Sequence, residues 1–262
     1  MIAHRPAMMA TPVHPRLFLV ALQLLTRLPV GDPMESDRDV ADSVAWYAVV
    51  GALVGGLSGF VWWMAALALP TRAAAVLAVG ATVMLTGALH EDGLADTADG
   101  LFGGRTPTDR LRIMKDSATG AYGVLALVLI VLLRVNLLAA LSPVAGAAAL
   151  VVAGSLSRGV TAIAMLNAVP ARRDGSGAVL LDHLRPGPAI AAGVTAVVAT
   201  SLFAGLEAIP VVLAAGAAAF AVRVSAVRRL GGLTGDTIGA MILLSDAAVL
   251  SLLVALEVGA GL

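Results

Sequence analysis

Four carboxylates stand within the eleven residues His90-Glu91-Asp92-Gly93-Leu94-Ala95-Asp96-Thr97-Ala98-Asp99-Gly100, just after a long apolar run that carries almost no charge. Asp92, Asp96 and Asp99 are spaced i, i+4, i+7, so on a helix their side chains share one face. Like charges held that close repel one another unless a cation sits among them. A hard divalent ion, which prefers oxygen ligands, is the simplest cation to fit. His90 is either a further ligand or a partner that orients one. Downstream come Gly103-Gly104, Arg105, Arg110, Arg112 and Lys115, interleaved with Asp109 and Asp116. Carboxylates for metal and cations for phosphate, alternating over a short stretch, are what phosphoryl transfer requires. For Asp109, Arg110 and Arg112 the plainer expectation is salt bridging in a hydrated loop.

Two more clusters share this character. Ser157-Arg158 lies inside an apolar segment, and an arginine there is a candidate for function by default. It is followed by Pro170-Ala171-Arg172-Arg173-Asp174-Gly175-Ser176-Gly177. The other is Gly231-Gly232-Leu233-Thr234-Gly235-Asp236-Thr237, where glycines before a helix start can offer backbone N–H groups to an anion. Asp236 either joins the site or simply caps that helix. Asp246, further along the same segment, is a polar glue residue or part of the site. Nothing in the sequence decides whether Arg134 pairs with it.

The elements that must position these residues are set by composition. Of the 262 residues, 59% are hydrophobic and only 13% charged, with a mean hydropathy of +0.94. Soluble domains are about 25% charged, so the chain reads as an integral membrane protein. Ala, Val, Leu and Gly dominate, without period-2 alternation, which favours an all-α, polytopic helical bundle over a barrel. A formal charge of zero offers nothing to nucleic acid, and the absence of cysteine excludes disulfides, thiolate metal sites and a cysteine nucleophile. No signal peptide of the usual form is expected at the start.

A span needs about 20 apolar residues. Seven are predicted, over 43–69, 72–89, 119–140, 143–168, 187–206, 208–225 and 237–258, in one domain covering 1–262. The shorter segment 16–30 reads as an interfacial or re-entrant helix. Trp46, Tyr47, Trp62 and Trp63 sit where an aromatic belt would place them. With seven spans, 14 of the 17 basic residues, Arg5 among them, fall on one side, against Arg72 alone on the other. The positive-inside rule puts the motif-bearing side in the cytoplasm of a multi-pass protein of the cell (inner) membrane. Gly-rich spans such as Gly51–Gly56 can pack within one chain or between copies, so a homo-oligomer stays open.

Taken together, the motifs resemble the cobalamin synthase family, the adenosylcobinamide-GDP ribazoletransferases. The likeness runs over nearly the whole chain: Ala21-Leu22-Gln23-Leu24-Leu25-Thr26-Arg27-Leu28-Pro29-Val30, the His90–Gly100 block, Met114-Lys115-Asp116-Ser117 with Gly120, and Gly231–Asp236. The resemblance implies a magnesium-dependent membrane transferase. It would join adenosylcobinamide-GDP to α-ribazole or its 5′-phosphate and release GMP. It further implies Asp92, Asp96 and Asp99 as magnesium ligands, one carboxylate as proton acceptor, and Lys115, Arg105 and Arg158 as phosphate clamps. His90, Asp116, Thr234 and Asp236 join them around the substrate, the last two at metal or a ribose hydroxyl. A second, partial resemblance is to the CDP-alcohol phosphotransferases, whose signature begins like Asp96-Thr97-Ala98-Asp99-Gly100. Its Ala-Arg pair and its later Gly-x-x-x-Asp-x-x-x-Asp are missing here. A transporter is the third alternative, suited by the intramembrane charges but not by acids gathered at one face.

Overall fold

In lipid, apolar runs without interior charge can satisfy their backbone groups only as helices or closed barrels. The computed structural model, which describes residues 14–260, is helical almost throughout, with one isolated parallel bridge between Pro170 and Leu233 and no strand among those residues. Arg5 and the lead before His14 lie outside them. The helices are Pro15–Leu25 (α1), Asp37–Asp42 (α2), Tyr47–Ala66 (α3), Thr71–Thr86 (α4), Leu89–Gly103 (α5), Pro107–Ile113 (α6), Ala121–Ala139 (α7), Pro143–Ala164 (α8), Ser176–His183 (α9), Pro186–Ala204 (α10), Ala208–Leu230 (α11) and Gly235–Ala260 (α12).

Five helical stretches are long and apolar enough to cross a membrane, and a bent pair makes a sixth. The longest, Pro186–Leu230, turns back at Gly205 (φ 54°, ψ −127°), so that α10 and α11 flank one groove from Ile190 to Phe220. By length and apolar character the helices give five or six crossings, against the seven expected from the sequence, which counted α10 and α11 separately. Pro143, Pro186 and Pro188 stand in the first turns of their helices, where a missing N–H costs nothing.

α8 is the axis of the bundle. Within the apolar windows, 78% of its residues are buried, against 28% for α7, whose outer face carries Leu125, Leu129 and Leu132. The α3–α8 contact is close enough that a Cβ on Gly51 would stand 2.0 Å from the carbonyl oxygen of Gly154. Small residues permit that approach, and backbone packing replaces the hydrophobic drive that lipid removes. The exposed apolar side chains of α7, α10 and α11 then face outward, as a lipid-bathed surface requires.

Two expectations need correction. The hydrated loop expected around Asp109, Arg110 and Arg112 is helix α6, and the Pro170–Gly177 cluster leads into α9. Trp62 is no belt residue: it is fully buried and donates from Nε1 to the Pro143 carbonyl at 3.0 Å. Tyr47 is buried too, while Trp46 stacks edge-on with Phe18. The segment 16–30 carries α1, one face of which packs into the bundle. Leu17, Val20 and Ala21 of α1 are fully buried, and Arg27 beyond it is tied by its N–H to the Leu85 carbonyl.

Candidate active site

The second predicted span ends early. α4 has 16 residues, about 24 Å of helix against a hydrocarbon core of about 30 Å. At its end Gly87 (φ 63°) and Ala88 (φ 59°) both adopt left-handed backbone, and α5 departs at 88°. For alanine that conformation costs about 1–3 kcal/mol, a strain that persists only where the surroundings enforce it. The corner is therefore set inside the edge of the bundle, and it brings α5 onto α12 and α7.

Gly93 sits at the crossing with α12. A Cβ there would stand 2.7 Å from the Asp236 carbonyl oxygen, so any larger residue would push α5 off the start of α12. The approach places Asp92 and Asp96 beside Asp236. Asp96, half-buried, has Asp92, Asp236 and Asp99 as charged neighbours, with Arg172 as the cation among them. Arg172 is carried in by the chain segment Val169–Ala171, which is zipped to Leu233 through two backbone bonds, Ala171 N–H to Leu233 and Leu233 N–H to Val169, at 2.8 and 2.9 Å. Its guanidinium reaches Asp236 Oδ2 at 3.2 Å.

The capping question at α12 has a definite answer. Thr234, not Asp236, caps the helix: its Oγ1 accepts from the Thr237 N–H at 3.2 Å, and Thr237 Oγ1 accepts from the Thr234 N–H at 2.9 Å. Thr234 is thus buried and committed to the helix end, which leaves the Asp236 carboxylate for Arg172 and the cleft. Lys115, before α7, pairs with Asp174 on the rim. Hydrogen bonding from Lys115, with Arg172 near, holds the Asp174 carboxyl below its ordinary range.

These residues surround a cleft of about 220 Å³ lined by His90, Asp92, Arg172, Asp174, Asp236 and the turn at Gly175–Gly177, with Tyr47 and Leu25 behind. Beside it lies a second cleft of about 460 Å³ lined by Gln23, Thr26, Arg27, Thr86, Gly87 and Ala88. Leu24, Leu89 and Asp92 belong to both walls.

Behind the cleft is a buried charge network. Arg134, 1% exposed, lies 3.4 Å from Glu91 Oε1 and 3.0 Å from Asp246 Oδ2. Arg158, 2% exposed, donates to the Gly154 carbonyl and stands 3.0 Å from His90 Nε2. Because guanidinium only donates, that nitrogen accepts and the imidazole proton sits on Nδ1. Arg158 therefore serves His90 from inside the bundle and does not stand open to a phosphate. The Arg134–Asp246 pair is real, and Glu91, which the sequence reading passed over, completes it. An acid beside an apolar run with an arginine one helix away was the available signal.

The three spaced aspartates do not end up doing one job. Asp92 is exposed to the clefts, whereas Asp99 is buried and receives the Gly120 and Gly123 N–H groups at 2.7 and 2.9 Å, capping α7. Among the described residues no three acid or histidine side chains lie close enough to enclose a metal ion. Asp109 is also not a salt-bridge residue; it forms a capping box with Thr106 at the start of α6. Arg110 is spent on the Gly104 and Arg229 carbonyls. Arg105 and Asp116 are exposed away from both clefts, Asp116 accepting only the Ala118 N–H. Arg172, Asp174 and Arg27 line the clefts without having been singled out as site residues. The dense Pro170–Gly177 cluster was a signal for the first two.

The chain matches the model of the family described as cobalamin-5-phosphate synthase over residues 17–254. It is similar to proteins named adenosylcobinamide-GDP ribazoletransferase from several bacteria. The one from Shewanella baltica is 39% identical over 230 residues, 86% of this chain and 88% of that protein. The one from Ralstonia pickettii is 36% identical over 86% of this chain and 90% of that protein. A 146-residue stretch is 48% identical to the protein from Shewanella frigidimarina, covering 54% of this chain and 56% of that one. No solved structure matches the chain.

Proposed function

The chain belongs to the cobalamin-5-phosphate synthase family, and from that premise we propose that it joins adenosylcobinamide-GDP to α-ribazole or its 5′-phosphate and releases GMP. The observation that carries the reading is the shared wall: Asp92 faces two adjoining clefts, one rich in acids and one holding Arg27, as a two-substrate transfer needs. The acceptor's ribose hydroxyl forms a P–O bond to the phosphorus nearer the cobinamide. The bond from that phosphorus to the bridging oxygen breaks, and GMP leaves carrying that oxygen. Asp92, at the junction, takes the hydroxyl proton or holds metal there. Arg172 and Lys115 face the nonbridging oxygens of the diphosphate.

Magnesium fits the donors present. It binds through one or two carboxylates, several waters and substrate phosphates, so it does not need a closed protein cage. Asp92 and Asp96, with Asp236 beside them, supply hard oxygens, and Asp96 has more acidic than basic neighbours. When bound, the ion supplies charge neutralisation on the diphosphate. Asp99 supports the site by fixing the start of α7 against α5. The excess of basic residues in the segments that carry the motifs supports a reaction on the cytoplasmic face of the membrane.

The test is detergent-purified protein supplied with adenosylcobinamide-GDP and α-ribazole 5′-phosphate, with GMP release followed in the presence and absence of magnesium. Metal-dependent GMP with a joined cobamide product is expected. Folded protein that releases no GMP overturns the reading, and CMP release from a CDP-alcohol would replace it.

A further inference from the structure

The two clefts that meet at Asp92 differ in charge. The first holds Arg172 together with Asp92, Asp174 and Asp236, and its one arginine is already paired to Asp236. The second holds Arg27 with no acid except the shared Asp92. None of the ion pairs among the described residues uses Arg27. Its guanidinium is nevertheless placed. The Arg27 N–H bonds to the Leu85 carbonyl at 2.8 Å, and the side chain lies over Gly87, where a Cβ would stand 2.2 Å from Nε. Gly87 thus serves two ends at once: its left-handed backbone turns the chain into α5, and its missing side chain makes room for Arg27.

An exposed guanidinium outside every described ion pair, lying against Gly87 in a polar cleft, is suited to the bidentate holding of a phosphate or carboxylate. Around it the Gln23 amide and the Thr26 and Thr86 hydroxyls donate to the Gly31, Leu22 and Thr82 carbonyls, so Arg27 is the charged donor this cleft offers an anion. Asp92 repels an anion from the opposite wall and so leaves Arg27 as the place where one rests.

We propose that the Arg27 cleft is the subsite for a phosphomonoester on the acceptor, so that the acceptor lies with its phosphate on Arg27 and its reacting hydroxyl at Asp92. The inference rests on the two-substrate reading above and adds to it which form of acceptor the chain is built to hold. The donor's diphosphate belongs to the other cleft, with Arg172. Arg27 is then a specificity-determining residue, selecting the phosphorylated acceptor over the free nucleoside.

The experiment is equilibrium binding of α-ribazole 5′-phosphate and of α-ribazole to the full-length protein in detergent, without donor, for wild type, Arg27→Ala and Arg27→Lys. Hydrogen bonds to a charged group contribute enough to make the expected drop in the ratio of the two affinities about 30-fold for Arg27→Ala. Arg27→Lys, which keeps a point charge without the fork, falls between. Thermal unfolding of each variant, run alongside, checks that the proteins being compared are folded. A ratio that stays unchanged while the variants remain folded overturns the subsite. So does weakened binding of adenosylcobinamide-GDP with acceptor binding intact, which would hand Arg27 to the diphosphate. Because binding is read without turnover, a wild type that binds both acceptors yet releases no GMP would fail the proposed reaction alone, and the affinity ratio would still decide the subsite.

Discussion

The two faces of α5 carry the same kind of residue to opposite ends. His90 and Glu91 turn into the bundle, where they meet Arg158 and Arg134 and are almost wholly buried. Asp92 lines both clefts and half-buried Asp96 stands near it, where acids outnumber the single neighbouring cation Arg172. On the inner face Glu91 is paired with Arg134 and Arg158 is held by His90 and the Gly154 carbonyl, and the result is a scaffold. On the outer face the charges are left in excess, and that excess is what a metal–diphosphate can use. Helix geometry alone makes the division, since successive residues point about a hundred degrees apart.

The sharpest way to break the comparison is to treat the faces in parallel. Asp92→Asn keeps the shape of the outer face and removes its charge. If that charge stabilises the transferring phosphoryl group, several kcal/mol are at stake, and GMP release should fall about a thousandfold with thermal unfolding unchanged. Near-normal turnover would remove Asp92 from the chemistry. Arg134→Met should do the reverse. It strands Glu91 and Asp246 as buried, unpaired charges, at a cost of about 3–5 kcal/mol. A lower unfolding temperature in detergent and poor recovery are expected. The triple variant Glu91→Gln, Arg134→Met, Asp246→Asn should regain most of that stability, since no uncompensated charge is left inside. A stable Arg134→Met protein that cannot turn over would show that the inner face is not merely a scaffold.

A smaller effect tests the rim. Lys115 and Asp174 are both half or more exposed, so their pairing adds little to stability. Lys115→Ala should leave thermal unfolding unchanged yet lower kcat/KM for adenosylcobinamide-GDP about tenfold, the loss of one charge-assisted phosphate contact. If kcat/KM holds, the ion pair is only a surface contact.

How far the sequence reached follows from the same physics. Long Ala-Val-Leu runs ending at Pro or charge located the long helices to within a few residues, because lipid favours helix for such runs. The bend at Gly87-Ala88 was not legible: His90–Gly100 continues a helical pattern, and nothing local announces that two successive residues turn left-handed. Spacing placed Asp92, Asp96 and Asp99 on one face correctly. It was blind to the Gly120 and Gly123 N–H groups that arrive from α7 and claim Asp99, a contact made 21 and 24 residues away. The Pro170–Gly177 cluster contained Arg172 and the Thr26-Arg27-Leu28 motif contained Arg27, but neither could be placed at a cleft, for a like reason. Each is brought in by backbone pairing with a distant segment, Leu233 in one case and Leu85 in the other.

Asp109 marks the outer limit of the site, and its effect should be the smallest. Its carboxylate accepts the Thr106 hydroxyl at 2.8 Å and the Thr106 N–H at 3.4 Å, which closes the first turn of α6 in full contact with water. Those bonds hold the carboxyl below its ordinary value of 3.8. A group whose folded value is depressed adds stability that is complete above its unfolded value and is lost as pH falls through the folded one. Asp109→Asn cannot titrate. Its unfolding temperature should therefore lie slightly below wild type at neutral pH, and the gap should close as the pH is taken below that range. Turnover at neutral pH should match wild type, because α6 touches neither cleft. A large loss of turnover with the small stability gap intact would mean that the working surface extends past α5 onto α6, and that the division between its two faces is only part of a wider one.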